Sequence, residues 1–401
     1  MMNKTKKEYV ATFVCQKLAV SVRTDAEEIV DCVCERLQHH FNAKEYSDSI
    51  LVTAFSVQHR KKEVFQLLTN RKYWEEKRHM KQIFFYSNEV SRSPITIWRT
   101  NSCKDKTECT VAEIVNKFLL GEQGICLVEM QSCSHYNLYY NDVDDYVGLS
   151  VMRIVRSLFM NRMVGSGYMY VHAAAVRYQG KGVLICGDSG KGKTSTILDF
   201  LENCEGELVA NDKVYIGQKD GTLYVQGWPT VVTLGVGSMK KHQRLNKYLT
   251  TIDDITCQQD LYHYTPKRDS LSISNEELQN LDKEGNKLVV SHQKIASLFG
   301  KTILGHMGLD LIISVDHGWD KQEILTACTS EQEKKDIIIH NRISNISDQL
   351  GWLGKDRVVD IYNEERLLNI MGKDIPLYKY SSAFEGICIG KVLNEVLDGN
   401  I

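Results

Sequence analysis

Residues Gly187 to Thr194 read G-D-S-G-K-G-K-T, the spacing of a phosphate-binding P-loop: Gly, four residues, Gly, Lys, then Ser or Thr. Each residue type has a task at that spacing. Gly187, Gly190 and Gly192 let backbone N–H groups turn inward around phosphate oxygens. Lys193 is placed to reach the β- and γ-phosphates of ATP or another NTP, and the Thr194 hydroxyl to ligate Mg2+. Asp188 and Ser189 lie inside the loop, where they shape its backbone or touch phosphate. Lys191 adds charge there or faces solvent, and Ser195 follows in the first turn beyond. A Gly-rich surface turn would fit the same pattern, so the flanks decide. Gly182 to Cys186 is a short apolar run that reads as a buried strand, and Ile197, Leu198 and Leu201 recur at helical spacing. Strand, glycine-rich turn and helix together are the setting in which the pattern binds phosphate.

A P-loop does not choose what receives the phosphate. Phosphoryl transfer also needs a positioned acceptor, and a carboxylate within reach can take its proton late in the step. Asp212 ends the strand after the P-loop helix, at the sheet edge where α/β proteins build their sites, although a solvated turn aspartate would occupy the same place. His172 lies on a strand just upstream, able to orient an acid, contact phosphate or sit as a satisfied core histidine. Asp316 closes the apolar run L-D-L-I-I-S-V-D, as a Walker-B acid or as a structural strand end. Lys267 and Arg268 are either cations for the transition state or solvated side chains.

These residues need elements to hold them. The spacing predicts a strand over Val10–Val22, then a helix with Ile29, Val30, Val33 and Leu37 on one face. Strands are expected at Ile50–Val57, Ile83–Tyr86, Ile95–Trp98, Ile125–Met130 and Tyr136–Tyr140, with a charged helix over Arg60–Lys81. Thr110 and Glu113 have capping-box spacing and predict a helix through Leu119 to Gly121. The first part of the chain, 1–145, thus reads as an α+β domain and a candidate for acceptor recognition. A helix with Val147, Val151, Ile154, Val155, Leu158 and Phe159 on its apolar stripe opens the second part, 146–401. There Tyr168–Val176 reads as one strand, Glu207–Ala210 as another, and Val214–Ile216 with Leu223–Val225 as a hairpin turning at Asp220-Gly221. Residues 238–300 turn polar and read as an insertion or lid. Leu309–Val315 returns as a buried strand. A charged helix (Glu331–Leu350), a helix at Ile361–Met371, a strand at Ile375–Tyr380 and a helix at Ile387–Leu397 complete the chain.

Composition narrows the function classes. The chain has 401 residues, enough for two domains or one with a large insertion, and 43% of them are hydrophobic. A net charge of −2 leaves no global basic field for nucleic acid. No apolar run reaches membrane-spanning or signal-peptide length. The twelve cysteines form no CxxC pair, which argues for reduced thiols in a cytoplasmic protein rather than a zinc or redox site.

Three pieces at matching spacing resemble the HPr kinase/phosphorylase family and its relatives that phosphorylate peptides, such as lasso-peptide kinases. They are His172 in V-H-A-A-A-V, the P-loop G-D-S-G-K-G-K-T, and Leu208-Val209-Ala210-Asn211-Asp212. The similarity covers about residues 146 to 236. It implies an α/β P-loop kinase core of HPr kinase/PEP carboxykinase type, carrying an N-terminal α+β domain and a helical insertion. It also implies that Asp212 serves as catalytic base and metal ligand, with His172 and Lys193 as catalytic partners. The sequence departs from the family at two points: Asn211 stands where the family pairs a second acid, and Ser195 where it usually has Glu. Hence the expected reaction is Mg2+- and ATP-dependent phosphorylation of a Ser or Thr hydroxyl on a peptide or small protein other than HPr, by a chain able to form a homo-oligomer. Two alternatives stay open: a small-metabolite kinase, and a nucleotide-dependent ATPase switch acting on a partner protein, for which Asp316 would be the acid.

Overall fold

The computed structural model describes residues 7–15, 18–41, 51–59, 82–85, 95–100, 109–115, 125–132, 135–140, 145–249, 256–257, 287–343 and 361–399. Those up to Met163 form one compact unit, and those from Val164 onward form another.

In the first unit, β1 (Tyr9–Cys15), β2 (Leu18–Thr24), β3 (Leu51–His59), β4 (Gln82–Phe85), β5 (Ile95–Thr100), β6 (Cys109–Val115), β7 (Ile125–Ser132) and β8 (His135–Tyr140) make one sheet, ordered β1-β2-β3-β8-β7-β6-β5-β4. The single strand expected over Val10–Val22 is instead a hairpin, with Tyr9 opposite Thr24 and Cys15 opposite Leu18. A strand that long would outrun the usual sheet, and folding it back pairs both halves. Helix α1 (Glu27–Leu37) links β2 to β3 and buries Ile29, Val33 and Leu37 at helical spacing. The helix expected from Thr110 onward is overturned: 109–115 is β6, paired antiparallel with β5 on one side and β7 on the other. Thr110, Val111, Ile114 and Val115 are β-branched and suit a pleated strand, and pairing on two sides outweighs one capping-box spacing. Phe118 to Gly121 and the charged stretch 60–81 lie outside the described residues. Helix α2 (Asp145–Gly165) buries Val147, Val151, Ile154, Val155, Leu158 and Phe159, the expected stripe.

The second unit is mixed α/β. Its six-stranded sheet runs β12-β10-β11-β19-β21-β20, built from β10 (Ala174–Tyr178), β11 (Lys181–Cys186), β12 (Gly206–Ala210), β19 (Leu311–Val315), β20 (Ile324–Ala327) and β21 (Leu377–Ser381). β11, β19 and β21 are parallel neighbours, and β10 is antiparallel to both β11 and β12. So β11, β12, β19 and β21 all point the same way. The segments that leave them emerge at one sheet edge, the edge on which the P-loop lies.

Both faces of this sheet are covered, which is why its strands read as continuous apolar runs. Val183 and Ile185 face one core with the P-loop helix α3 (Lys193–Asn203) and the C-terminal helix (Ile389–Leu397). Leu184 and Cys186 face the other. There they meet a second sheet of β9 (Met169–Val171), β13 (Val214–Lys219), β14 (Thr222–Gly227) and β18 (His306–Gly308), together with α7 (Glu331–His340) and α8 (Ile361–Asp374). The expected strand 168–176 is therefore two, β9 and β10, in different sheets, and the chain changes sheets at His172-Ala173. The β13–β14 hairpin turns at Asp220 and Gly221, both with positive φ, as a two-residue turn requires.

Both described ends of the segment 238–300 are structural. Helices α4 (Val236–Lys241) and α5 (Gln243–Leu249), strand β17 (Lys287–Ser291), which pairs between β15 (Val231–Gly235) and β16 (Thr256–Cys257), and helix α6 (His292–Phe299) bury Met239, Leu245, Tyr248, Val290, Ile295 and Phe299 in the core that holds α3. Lys267 and Arg268 fall outside the described residues.

Candidate functional site

The P-loop leaves β11 at Gly187 and enters α3 at Lys193. Gly192 has φ 93 and caps α3 in the left-handed region, which L side chains avoid. A Cβ there would lie 2.6 Å from His317 Cδ2. No side chain caps α3, so its first-turn N–H groups point into the loop, as an anion site requires. Lys193 is buried, and its Nζ donates to the Gly187 carbonyl at 2.5 Å and the Asp188 carbonyl at 3.1 Å. The ammonium is thus held inside the loop, where it would meet phosphate oxygens. Asp188, Ser189 and Gly190 are exposed on the loop's outer rim, while Thr194 and Ser195 lie half-buried in the first turn of α3.

Beside the loop, the ends of β9 and β12 bring His172 to Asp212. His172 Nε2 stands 2.9 Å from Asp212 Oδ1. An ionised carboxylate only accepts, so Nε2 carries the hydrogen in this bond. The other oxygen, Oδ2, is 3.8 Å from Lys213 Nζ. Burial pushes the Asp212 carboxyl up, but the His172 hydrogen bond and the charges of Lys213 and Lys193 outweigh it and hold the group below 3.8. Asp212 is therefore a carboxylate at neutral pH, held by the imidazole on one oxygen.

Asn211 completes the group. It is 3% exposed, its backbone N–H donates to His292 Nε2 at 3.0 Å, and its Nδ2 lies 3.5 Å from Thr194 Oγ1. Its Oδ1 is buried without a hydrogen-bond partner among the described residues. A buried, unmatched acceptor costs stability unless something meets it. Thr194 Oγ1, Asn211 Oδ1 and the Asp212 carboxylate are hard oxygen donors, a set that fits Mg2+ completed by phosphate oxygens.

Two clasps on the loop have no signature in the sequence. On one side, the end of α7 supplies His340 and Asn341. His340 Nε2 is 2.6 Å from Asp188 Oδ1. Asn341 is buried; its Oδ1 accepts from the Gly187 N–H at 3.2 Å, and its backbone carbonyl accepts from the His172 N–H at 2.8 Å. One residue thus ties the start of the P-loop to the histidine of the acid pair. On the other side, Lys191 is paired with the end of β19: its Nζ is 2.9 Å from Asp316 Oδ1, and Lys321 Nζ is 2.7 Å from Oδ2. Those hydrogen bonds, from Lys321 first and then Lys191, draw the Asp316 carboxyl below the ordinary aspartate value. The His317 N–H then donates to the Lys191 carbonyl at 3.1 Å.

Fold and geometry together make the second unit a mixed α/β unit with a P-loop and a histidine-held acid at one sheet edge. No family model matches the chain. Over 136 residues it is 28% identical to the HPr kinase/phosphorylase of a Geobacillus species, an alignment taking in 30% of this chain and 41% of the relative. The HPr kinase/phosphorylase of Bacillus velezensis is 31% identical over 136 residues, with 30% and 41% covered. Over that part of its length the chain is a distant, HPr kinase-like homologue, and it spans only 41% of these relatives. It is also similar to the Hpr(Ser) kinase/phosphatase of Coxiella burnetii, at 14% identity over 58% of this chain and 99% of that one, with a TM-score of 0.25, too low to support a fold assignment.

Proposed function

We propose that this chain is an ATP- and Mg2+-dependent kinase with a core of HPr kinase/PEP carboxykinase type, acting on a Ser or Thr hydroxyl of a peptide or small protein. The observation that carries the reading is the His172–Asp212 pair at 2.9 Å, on the sheet edge shared with the P-loop and next to Asn211, which reaches Thr194. In this reading the acceptor oxygen bonds to the γ-phosphorus as the bond to the β-phosphate bridging oxygen breaks, and ADP leaves. The acceptor proton passes to the Asp212 carboxylate. A carboxyl held below its ordinary pKa is a weak base, which suits a loose transition state in which the proton moves late. His172 keeps one Asp212 oxygen engaged, which orients the other. Lys193 and the first turn of α3 hold the phosphates, and Thr194, Asn211 and Asp212 would hold the metal. Mg2+, when bound, supplies charge neutralisation on the transferring group.

The ATPase-switch reading needs Asp316 as its acid. Asp316 is bound by Lys191 and Lys321, which leaves it poorly placed for that role. The replacement of the family's second acid by Asn211 favours an acceptor other than HPr. The expected setting is the cytoplasm, where thiols such as the buried Cys186 and Cys204 stay reduced. Among the described residues, no helix is long and apolar enough to cross a membrane.

The test is purified protein with Mg-ATP and peptides encoded near its gene, read by mass spectrometry. A phosphate mass shift is expected on one peptide. Asp212→Asn should cut the transfer rate by roughly 10²- to 10⁴-fold while ATP still binds. Hydrolysis without any acceptor, unchanged by Asp212→Asn, would overturn the kinase reading.

A further inference from the structure

Among the described residues, Trp319 is the large apolar side chain left most open, at 71% exposure. An indole presented to water at that level carries a large apolar surface, and its polar N–H is the only part that gains from it. Its position is built rather than incidental. The ring packs edge-to-face on Phe384, with centroids 5.3 Å apart and planes at 71°. Lys241 Nζ lies 5.0 Å from the indole centroid, a cation–π contact. The backbone beneath is locked: the Gly318 N–H donates to the Ser382 carbonyl at 3.2 Å, and the Phe384 N–H donates to the Gly318 carbonyl at 3.2 Å. Gly318 and Ala383 form a parallel bridge that extends β19 and β21 past their ends.

The same loop is fastened to the P-loop. The His317 N–H donates to the Lys191 carbonyl at 3.1 Å, and His317 Nε2 meets Thr196 Oγ1, in the first turn of α3, at 3.1 Å. The order of the sheet then assigns directions. Asp212 and Asn211 leave β12, on one side of β11, while Trp319 and Phe384 follow β19 and β21, on the other. A nucleotide whose γ-phosphate lies at Lys193 and Asp212 has its remaining phosphates along the first turn of α3. On that placement its nucleoside would leave on the β19 and β21 side of the loop, the side on which the aromatic pair follows the two strands.

We infer that Trp319, backed by Phe384, is the stacking platform for the nucleobase of the bound nucleotide. This rests on the nucleotide-binding part of the function proposed above and adds the base subsite to it. Stacking uses the π-face that every base has, so the platform favours purines for their larger face and separates ATP from GTP weakly.

The test compares Mg-ATP, Mg-GTP, Mg-UTP and inorganic tripolyphosphate by calorimetry on the full chain. The wild type should bind both purine nucleotides more tightly than UTP. Trp319→Ala should weaken ATP about tenfold and leave tripolyphosphate unchanged, and Trp319→Phe should recover most of the loss. Phe384→Ala should reproduce the selective loss in part. If Trp319→Ala binds ATP as tightly as the wild type, the base lies elsewhere and the platform is refuted while the P-loop assignment stands. Equal losses for ATP and tripolyphosphate would mean that Trp319 only supports the loop, which also refutes it. A wild type that binds neither ATP nor tripolyphosphate overturns the nucleotide reading, and the platform with it.

Discussion

His317 gives the P-loop unit a pH dependence that can be worked out in advance. The ring is 1% exposed, with Thr196 Oγ1 3.1 Å from Nε2 and Ser382 Oγ 2.9 Å from Nδ1. Burial drives its pKa from 6.5 down to about 4, against smaller opposing effects of Ser382 and Asp316. Because the folded pKa is the lower one, the unfolded chain takes up the proton first. Stability is then complete above pH 6.5 and falls as the pH drops toward 4. The whole shift corresponds to about 3 kcal/mol, of which about 2 kcal/mol is lost between pH 7 and pH 5. The perturbation is His317→Gln, which keeps hydrogen-bonding atoms but cannot titrate. Urea unfolding at pH 7 and at pH 5, followed by circular dichroism, gives the stability of each protein. All other groups titrate alike in both, so the wild type should lose about 2 kcal/mol more than the variant over this interval. Equal losses in the two proteins would refute the buried, neutral imidazole.

Two further outcomes test the clasps. Asn341→Ala leaves the Gly187 N–H without its acceptor, so the P-loop unit should lose about 1–3 kcal/mol in urea unfolding and bind tripolyphosphate more weakly; unaltered binding would show that the α7 end does not set the loop. Gly192→Ala places a Cβ 2.6 Å from His317 Cδ2 at φ 93, which should cost about 1–2 kcal/mol in backbone strain and displace His317; a variant with wild-type stability and ATP affinity would contradict that packing.

What could be read from the sequence follows the range of the interactions. The P-loop is local: its strand, its glycines and its helix lie within Lys181–Asn203, and spacing alone outlines them. The hairpin at Asp220-Gly221 is local too. Asp212 and His172 stand 40 positions apart, and only the family resemblance linked them; their contact depends on β9 and β12, which lie in different sheets. The break at His172 was hidden because Y-M-Y-V-H-A-A-A-V is apolar on both sides of the point where the chain changes sheets. Strand β6 is not legible from spacing because a helix cap and a strand share Thr and Glu at that spacing, and only pairing with β5 and β7 separates them. The clasps are remoter still. Asn341 reaches Gly187 across 154 positions and His317 reaches Thr196 across 121, with no periodicity to announce either. Yet these residues fix the outline of the loop: Asn341 holds its first N–H, His317 limits its last glycine, and Asp316 takes the one loop lysine that is not buried. A motif match therefore supplies the groups that would touch phosphate, while the rigidity that makes them a site comes from the ends of α7 and β19.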